Sequence, residues 1–485
     1  MNDTNKKAIT GVKWTLIQSI IVSLLGPLVI IIQVRYLTPK EMGYVAIIMI
    51  VITLLQVIEN MGMSQAIIQN DQFNNHVFTS LFTFNLILSF LIGIVLYLSA
   101  PYIQALYHLD GLAHYLRLIV ILIIVQSPSL ILKAVLQKEL LIKPLSVIEI
   151  VKKIVQAIAL VIMFVSGFGI LAVIYSAIIE TVIGTLALII YFLNKRIVKF
   201  ARFESLAGIM PYLKFGAIIS TKQIFTNVVL KVDEILIGLF LSPEALGIYH
   251  FAKSLLEKVR TVLTSTFSRV LFPYFSKLQH SLVELNLVYH KITEILALVA
   301  FPIFTGIALT AQFFIPVIFG PEWIASLNIF RIISLGLIPM LLTFSVATSL
   351  LYALNKPGTV LTVDIITNLI YLLILSFIAK YGVILVALTY VLFILGKSIY
   401  LQIYVNRALA STYSSYLASL KYPFISSLIM SLVLLGYYAL MPEVNDVFML
   451  ISTIVIGTLI YLILTRTFNR DLFDQMTRKL KRRVR

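Results

Sequence analysis

The chain has 485 residues, 60% of them hydrophobic and only 12% charged, with 38 Lys and Arg against 21 Asp and Glu for a formal net charge of +17. A soluble domain carries about twice that charged fraction, and a soluble chain of this length divides into globular domains joined by polar linkers, none of which is present here. The absence of cysteine excludes a disulfide framework, a thiolate metal site and a cysteine nucleophile.

In chain order, apolar stretches of roughly 20 residues recur from one end to the other, the length that crosses about 30 Å of hydrocarbon as a helix. A helix satisfies its own backbone hydrogen bonds and is therefore stable in lipid. The first run begins at Trp14, is too long for a signal-peptide core and has no small-residue cleavage site after it, so it is expected to be a span and not a cleaved leader. The expected spans are 14–34, 43–65, 79–100, 115–136, 146–165, 170–193, 213–240, 247–270, 290–312, 326–352, 358–379, 383–405, 420–440 and 447–465. They describe an all-α integral membrane protein of about 14 transmembrane helices. An even number places both termini on one side.

Lys and Arg collect in cytoplasmic loops. The connections 1–13, 66–78, 137–145, 194–212, 271–289, 353–357, 406–419 and 466–485 hold, with their flanking helix ends, about 23 of them, against three (Arg35, Lys40 and Lys380) on the opposite set. Both termini are therefore expected in the cytoplasm. The asymmetry accounts for most of the net charge without invoking nucleic acid. The tail from Arg466 to Arg485 carries eight basic residues and suits an anionic lipid surface. Outward turns such as 167–169 and 380–382 are too short for a folded domain, so the function is expected inside the bilayer.

The six histidines (His76, His108, His114, His250, His280 and His290) form no HxxxH or HExxH pair, and no GxxxxGK[ST] loop occurs. Neither a zinc site nor ATP hydrolysis is expected. No cofactor is called for, and the chain does not read as an enzyme.

Residues 37–44 (Leu-Thr-Pro-Lys-Glu-Met-Gly-Tyr) correspond to residues 241–248 (Leu-Ser-Pro-Glu-Ala-Leu-Gly-Ile), aligning Pro39 with Pro243 and Gly43 with Gly247 at an offset of 204. Both copies join one apolar span to the next, and Pro and Gly suit a tight turn there. A weaker second match relates 115–139 to 329–357 through Arg117 and Arg331, and Pro128 and Pro339. The offset covers six spans and so preserves orientation, as in transporters built from two parallel six-helix halves. The expected divisions are 1–200 and 201–410 as six-helix lobes related by a pseudo-two-fold, then 411–485 with two further spans and the basic tail.

A charged side chain within a span is costly and marks a functional site by default. The first half holds Arg117, Lys133, Lys152 and Lys153 against Glu59, Glu149 and Glu180. The second holds Lys222, Lys231, Lys253, Lys258, Arg260, Arg269, Arg331 and Lys397 against Asp233, Glu234, Glu257, Glu294 and Asp364. Glu149 shares a helix face with Lys152 and Lys153, as Lys253 does with Glu257 and Arg260, so local pairing neutralises some of these. Lys133 and Arg269 are expected to reach the cytoplasmic headgroups. A surplus of bases remains and favours an anionic ligand such as a phosphate or a uronic acid. Lys222, Lys231, Arg260 and Arg331, with Lys152 and Lys153, are the candidates to bind it. Glu59, Glu180, Asp233 and Asp364 are the candidates for ion coupling. The 24 Tyr and 30 Phe fit interfacial belts better than sugar stacking. Pro27, Pro128, Pro302 and Pro339 are expected to kink their helices.

Several short motifs follow one another in a familiar order. They are Gly11-Val-Lys-Trp14, Glu59-Asn-Met-Gly62 with Ala66-Ile-Ile-Gln69, Gln137-Lys-Glu-Leu140, Phe215-Gly216, and Asp233 with Ile237-Gly238. Leu246-Gly247-Ile-Tyr249, Phe272-Pro273, Phe319-Gly320 and Trp323 complete the series. Over residues 8 to 410 the pattern resembles the polysaccharide transporter, or oligosaccharide flippase, family of the multidrug/oligosaccharidyl-lipid/polysaccharide exporter superfamily. It is most similar to the Wzx-type colanic-acid and teichuronic-acid exporters. One departure is Glu59, where the family motif starts with aspartate. The resemblance implies fourteen helices, alternating access and a cationic lumen. The implied cargo is an undecaprenyl-pyrophosphate-linked oligosaccharide moved across the cytoplasmic (inner) membrane for surface polysaccharide synthesis. Membrane lipids, a polysaccharide polymerase and chain-length machinery are the implied partners.

Two other functions compete with this reading. A cation-coupled multidrug antiporter of the same superfamily usually has a carboxylate in its first span, and 14–34 has none. A membrane glycosyltransferase or polymerase usually has a sizeable outward loop, and this chain has none.

Overall fold

The computed structural model describes residues 3–70, 73–197, 199–203, 206–441, 444–468 and 470. Regular structure among the described residues is entirely helical. Packing divides the chain into two compact units, Met1–His250 and Phe251–Arg485. The first contains α1 (Asp3–Tyr36), α2 (Pro39–Asn60), α3 (Met63–Gln69), α4 (Asn75–Tyr107), α5 (Leu112–Lys138), α6 (Ile142–Val165), α7 (Ile170–Lys195), α8 (Leu206–Phe240) and the start of α9 (Pro243–Leu278). The second contains the rest of α9, α10 (Leu282–Phe314), α11 (Leu327–Pro339), α12 (Ser345–Ala353), α13 (Pro357–Ile378), α14 (Val383–Leu409), α15 (Tyr413–Leu440) and α16 (Asp446–Phe468).

Local chemistry sets the helix boundaries. Thr38 caps α2 in a capping box: its hydroxyl accepts from the Glu41 amide, and the Glu41 carboxylate accepts from the Thr38 amide at 2.8 Å, with Pro39 in the first turn. The expected span 43–65 is not one helix. Met61 and Gly62 both take left-handed backbone, at φ 43° and 63°, and separate α2 from α3. Glycine suits that conformation and methionine resists it. The expected span 326–352 is interrupted as well. Pro339 has no amide hydrogen to donate, and a five-residue π-helical turn, Met340–Phe344, follows it before α12.

In the first unit, α4 packs on α5 and α6 on α7, with α1 against α6 and α8 against α2 and α3. One end is filled by Ile67, Phe78, Leu136, Leu188 and Tyr212, all almost fully buried. In the second unit, α10 is flanked by α11, α15 and α16, and α14 lies between α11 and α13. Trp323 is fully buried there, its ring 4.8 Å from that of Phe251.

Eleven of the helical segments are long and apolar enough to cross a membrane. On α1 the side chains Val12, Leu16, Ile20, Leu24 and Leu28 are all exposed at four-residue intervals, a continuous apolar stripe that winds slowly around the helix. Water would penalise such a stripe; lipid does not. The chain is a multi-pass, all-α integral membrane protein. The remaining three expected spans correspond to α6, α8 and α9, which are 24, 35 and 36 residues long. They are long enough, but they carry most of the intramembrane charges.

Candidate functional site

Glu149, Lys152 and Lys153 of α6 turn toward neighbouring helices. A cavity of about 400 Å³ lies among α2, α5, α6 and α7, lined by Gln56, Gln126, Lys133, Lys152, Lys153 and Glu180 among others. Its ion pairs form a chain. Lys133 Nζ is 2.7 Å from Glu149 Oε1, and Lys152 Nζ is 2.9 Å from Glu149 Oε2 and 3.4 Å from Glu180 Oε1. Lys153 Nζ is 2.9 Å from Glu180 Oε1 and also donates to Gln156 at 2.9 Å. Across the cavity, Gln56 donates to Gln126 at 3.0 Å.

Helix geometry explains the arrangement. Glu149 and Lys152 are three residues apart and meet on one face. Lys153 is turned by one position and reaches α7 instead. Gly184 on α7 leaves room for Lys152, whose Cδ would be only 3.0 Å from any Cβ placed there. Three lysines meet two glutamates, so the cluster has one positive charge in excess. A lysine at mid-membrane costs about 2.5–3.5 kcal/mol on insertion scales. Pairing offsets two of the three, and an anionic group would complete the set.

Two expectations are corrected here. Lys133 does not reach for headgroups; it turns into the cavity because Glu149 is there to receive it. Glu149 pairs with Lys133 and Lys152, and Lys153 pairs with Glu180. The side chain of Arg269 and the tail beyond residue 470 lie outside the described residues.

The other candidate residues are placed separately. Lys222 is exposed on α8 and Lys231 is bonded to Glu234 at 2.7 Å; both lie outside the lysine cavity. Asp233 is buried and accepts from the Tyr249 hydroxyl at 2.6 Å. Beside it, His250 Nδ1 is 2.7 Å from Glu234 Oε2, a buried contact that the sequence reading did not single out. In the second unit, Arg331 donates to the Gln312 side chain at 2.8 Å and to the Ala308 carbonyl at 3.4 Å, so α10 holds it, with no acid paired to it among the described residues. Arg260 Nε is buried with no hydrogen-bond partner among the described residues. Asp364 is paired with Lys397 at 2.8 Å, and Lys397 also sits over the Phe344 ring. Glu59 is fully buried; its Oε1 accepts from Ser89 at 3.0 Å, while Oε2 has no partner among the described residues.

The two copies of the repeated turn meet within the first unit. A Cβ on Gly43 would overlap the Pro243 carbonyl, and one on Gly247 would overlap the Pro39 carbonyl. The contact is reciprocal, each copy presenting its proline carbonyl to the other's glycine. A second such approach joins Gly62 and Gly216, where a Cβ on either would meet the other strand of backbone. In the second unit an apolar cavity of about 480 Å³ lies among α10, α15 and α16, lined by Pro302, Met430, Leu434 and Tyr461 among others. Among the described residues no cluster of His, Asp and Glu has the make-up of a metal site.

Residues 32–328 match the model of a family described as "Polysaccharide biosynthesis protein". The chain is 26% identical over 336 residues to the teichuronic acid biosynthesis protein TuaB of Bacillus subtilis (strain 168), covering 69% of each. It is 24% identical over 320 residues to the lipopolysaccharide biosynthesis protein WzxC of Escherichia coli (strain K12), covering 66% of this chain and 64% of that one. Among solved structures, it superposes on lipid II flippase MurJ in an inward closed conformation with a TM-score of 0.70 at 18% identity, over 96% of this chain and 99% of that one. An inward-facing multidrug resistance MATE family transporter superposes with a TM-score of 0.60 at 14% identity, over 80% of this chain and 94% of that one. At those identities the likeness is one of fold.

Proposed function

The chain belongs to the polysaccharide biosynthesis protein family of membrane transporters, and on that premise we propose that it is a flippase for a lipid-linked oligosaccharide. The cargo is an undecaprenyl-pyrophosphate-linked repeat unit, carried across the cytoplasmic membrane by alternating access. A polyprenyl tail is at home in lipid, and the sugar with its pyrophosphate is not, so the protein has to shield only the polar head. The observation that carries this reading is the cavity cluster of Lys133, Lys152 and Lys153 against Glu149 and Glu180. One excess positive charge in a polar cavity attracts a phosphate and repels a cationic drug. Lys222, Lys231, Arg260 and Arg331 are retained as further cargo-binding residues. The deciding experiment is transport by reconstituted protein. A labelled undecaprenyl-pyrophosphate oligosaccharide is expected to cross, and an ethidium-type cation is not; the reverse outcome would make the chain a multidrug antiporter.

The proposed orientation places both termini in the cytoplasm, following the loop charges. Reporter fusions after Phe168 and after Tyr381 are expected to read as external, and one after Asn194 as internal. A cytoplasmic signal at Phe168 would overturn this topology.

Glu59 is the leading candidate for coupling, with Glu180, Asp233 and Asp364 as the others. A buried carboxyl with one oxygen unbonded is suited to exchanging a proton. Glu59→Gln keeps the shape and the Ser89 contact but cannot exchange that proton. Export by this variant is expected to lose its response to an imposed pH gradient while the protein reaches the membrane normally. An unaltered response would remove Glu59 from the mechanism.

A further inference from the structure

A second basic site lies in the first unit, apart from the lysine cavity. A groove of about 470 Å³ is walled by Phe78 and Phe82 of α4, Phe192 of α7, and Phe200, with Arg196 and Lys199 on its lining. The two sites share α5 and α7 but no lining residue.

The groove is built by a strap. Helix α7 ends at Arg196, which takes left-handed backbone at φ 49° and donates its amide to the Phe192 carbonyl at 2.9 Å. The chain then runs back over the first turns of α4. Lys199 donates its amide to Asn75 Oδ1 at 3.1 Å, Ala201 donates to Thr79 Oγ1 at 2.9 Å, and the His76 ring donates to the Arg202 carbonyl at 3.0 Å. These bonds hold the Phe200 ring 5.5 Å from that of Phe78 and 5.3 Å from that of Phe82. Phe200 nevertheless stays 65% exposed, and Leu193 at the rim 66%. Arg196 and Lys199 are exposed and form no ion pair among the described residues. Large apolar side chains left open beside two unpaired cations at a helix end have the chemistry of a phospholipid reversed: chain against ring, phosphate against guanidinium and ammonium.

We propose that this groove binds an anionic glycerophospholipid of the surrounding membrane, one acyl chain lying on Phe82, Phe192 and Phe200 and the phosphate held by Arg196 and Lys199. The site depends on the chain being embedded in a membrane and not on the identity of the cargo. The basic residues lie beyond the apolar wall, at the end of α7 where the chain leaves the helix, which matches the order of headgroup and tail in a leaflet.

The test uses full-length protein in mixed micelles with a phosphatidylglycerol carrying a photoactivatable acyl chain. Labelling is expected to concentrate on peptides containing residues 78–82 and 189–200. Unlabelled phosphatidylglycerol is expected to compete, whereas phosphatidylcholine with the same chains and free glycerol phosphate are not. The Arg196→Ala/Lys199→Ala double variant, with unchanged helical circular dichroism, is expected to need roughly 25-fold more lipid for the same labelling, from roughly fivefold per basic residue. Equal competition by phosphatidylcholine, labelling spread evenly around the helices, or unchanged labelling of the folded double variant would overturn the proposal. Stronger competition by undecaprenyl phosphate than by phosphatidylglycerol would also overturn it, by making the groove a cargo site. Should the double variant not fold, the headgroup competition on the unaltered protein decides alone.

Discussion

A chain carrying Thr38→Cys and Ser242→Cys is expected to cross-link with a short thiol-cleavable reagent and to stop exporting until the link is cut. The two positions open the repeated turns: Thr38 caps α2, and the Ser242 hydroxyl accepts from the Ala245 amide at 3.2 Å at the start of α9. The helices begin in backbone contact because Gly43 and Gly247 have no Cβ to keep Pro243 and Pro39 away. Under the proposed alternating access this contact opens once in each cycle, so a covalent bridge across it is expected to reduce export at least about tenfold, the effect of closing a route by only 1.4 kcal/mol. The chain has no native cysteine, so the background is clean. Gly247→Leu is the complementary change. It leaves the turns unable to close on the Pro39 carbonyl, and is expected to abolish cross-linking of the cysteine pair while leaving the protein in the membrane. Rapid cross-linking with normal export would show that the turns never part, and the mechanism proposed for this end of the molecule would fail.

Much of the helical pattern was legible in the sequence, because apolar runs of membrane length have one stable form in lipid. The interruption after Pro339 was legible too, because a proline within a span is expected to kink its helix; the break at Met61 and Gly62 was not. Gly62 is one glycine among 21, and only the fold shows that it faces Gly216 and that Met61 beside it is forced into left-handed backbone. The turn repeat at Pro39 and Pro243 was readable as a repeat; its reciprocal contact was not, since nothing in two similar octapeptides says that they touch. The charges divide in the same way. Spacing alone joined Glu149 to Lys152, since residues three apart on a helix are neighbours. The partners of Lys133, Lys153 and Arg331 lie on other helices at separations that no local rule reaches, and His250 with Glu234, 16 residues apart across a turn, escaped for the same reason.

Lys152→Gln is expected to lower export by about ten- to a hundredfold while leaving the fold intact. The reason is that Lys152 is the redundant lysine of its cluster. Without it, Glu149 still has Lys133 at 2.7 Å and Glu180 still has Lys153 at 2.9 Å, so no buried carboxylate is stranded. Stranding one would cost about 3–5 kcal/mol and confuse loss of function with loss of structure. What the substitution removes is the excess positive charge. A charge-assisted contact to an anion contributes about 1.5–3 kcal/mol, which is the stated range in transport if the contact is made on the way across. The decisive arm is the double variant Lys152→Gln/Glu149→Gln. It leaves Lys133 and Lys153 against Glu180 alone and so restores an excess of one positive charge, with the amide oxygen at position 149 still able to accept from Lys133. Export is expected to recover most of what the single variant lost. A structural role for Lys152 predicts the opposite, since the double variant disrupts the ion-pair chain further. Protein amount in the membrane, measured alongside transport of the labelled lipid-linked sugar, separates the two. If the single variant exports normally, or the double falls below it, the net charge of this cavity is not what recognises the cargo.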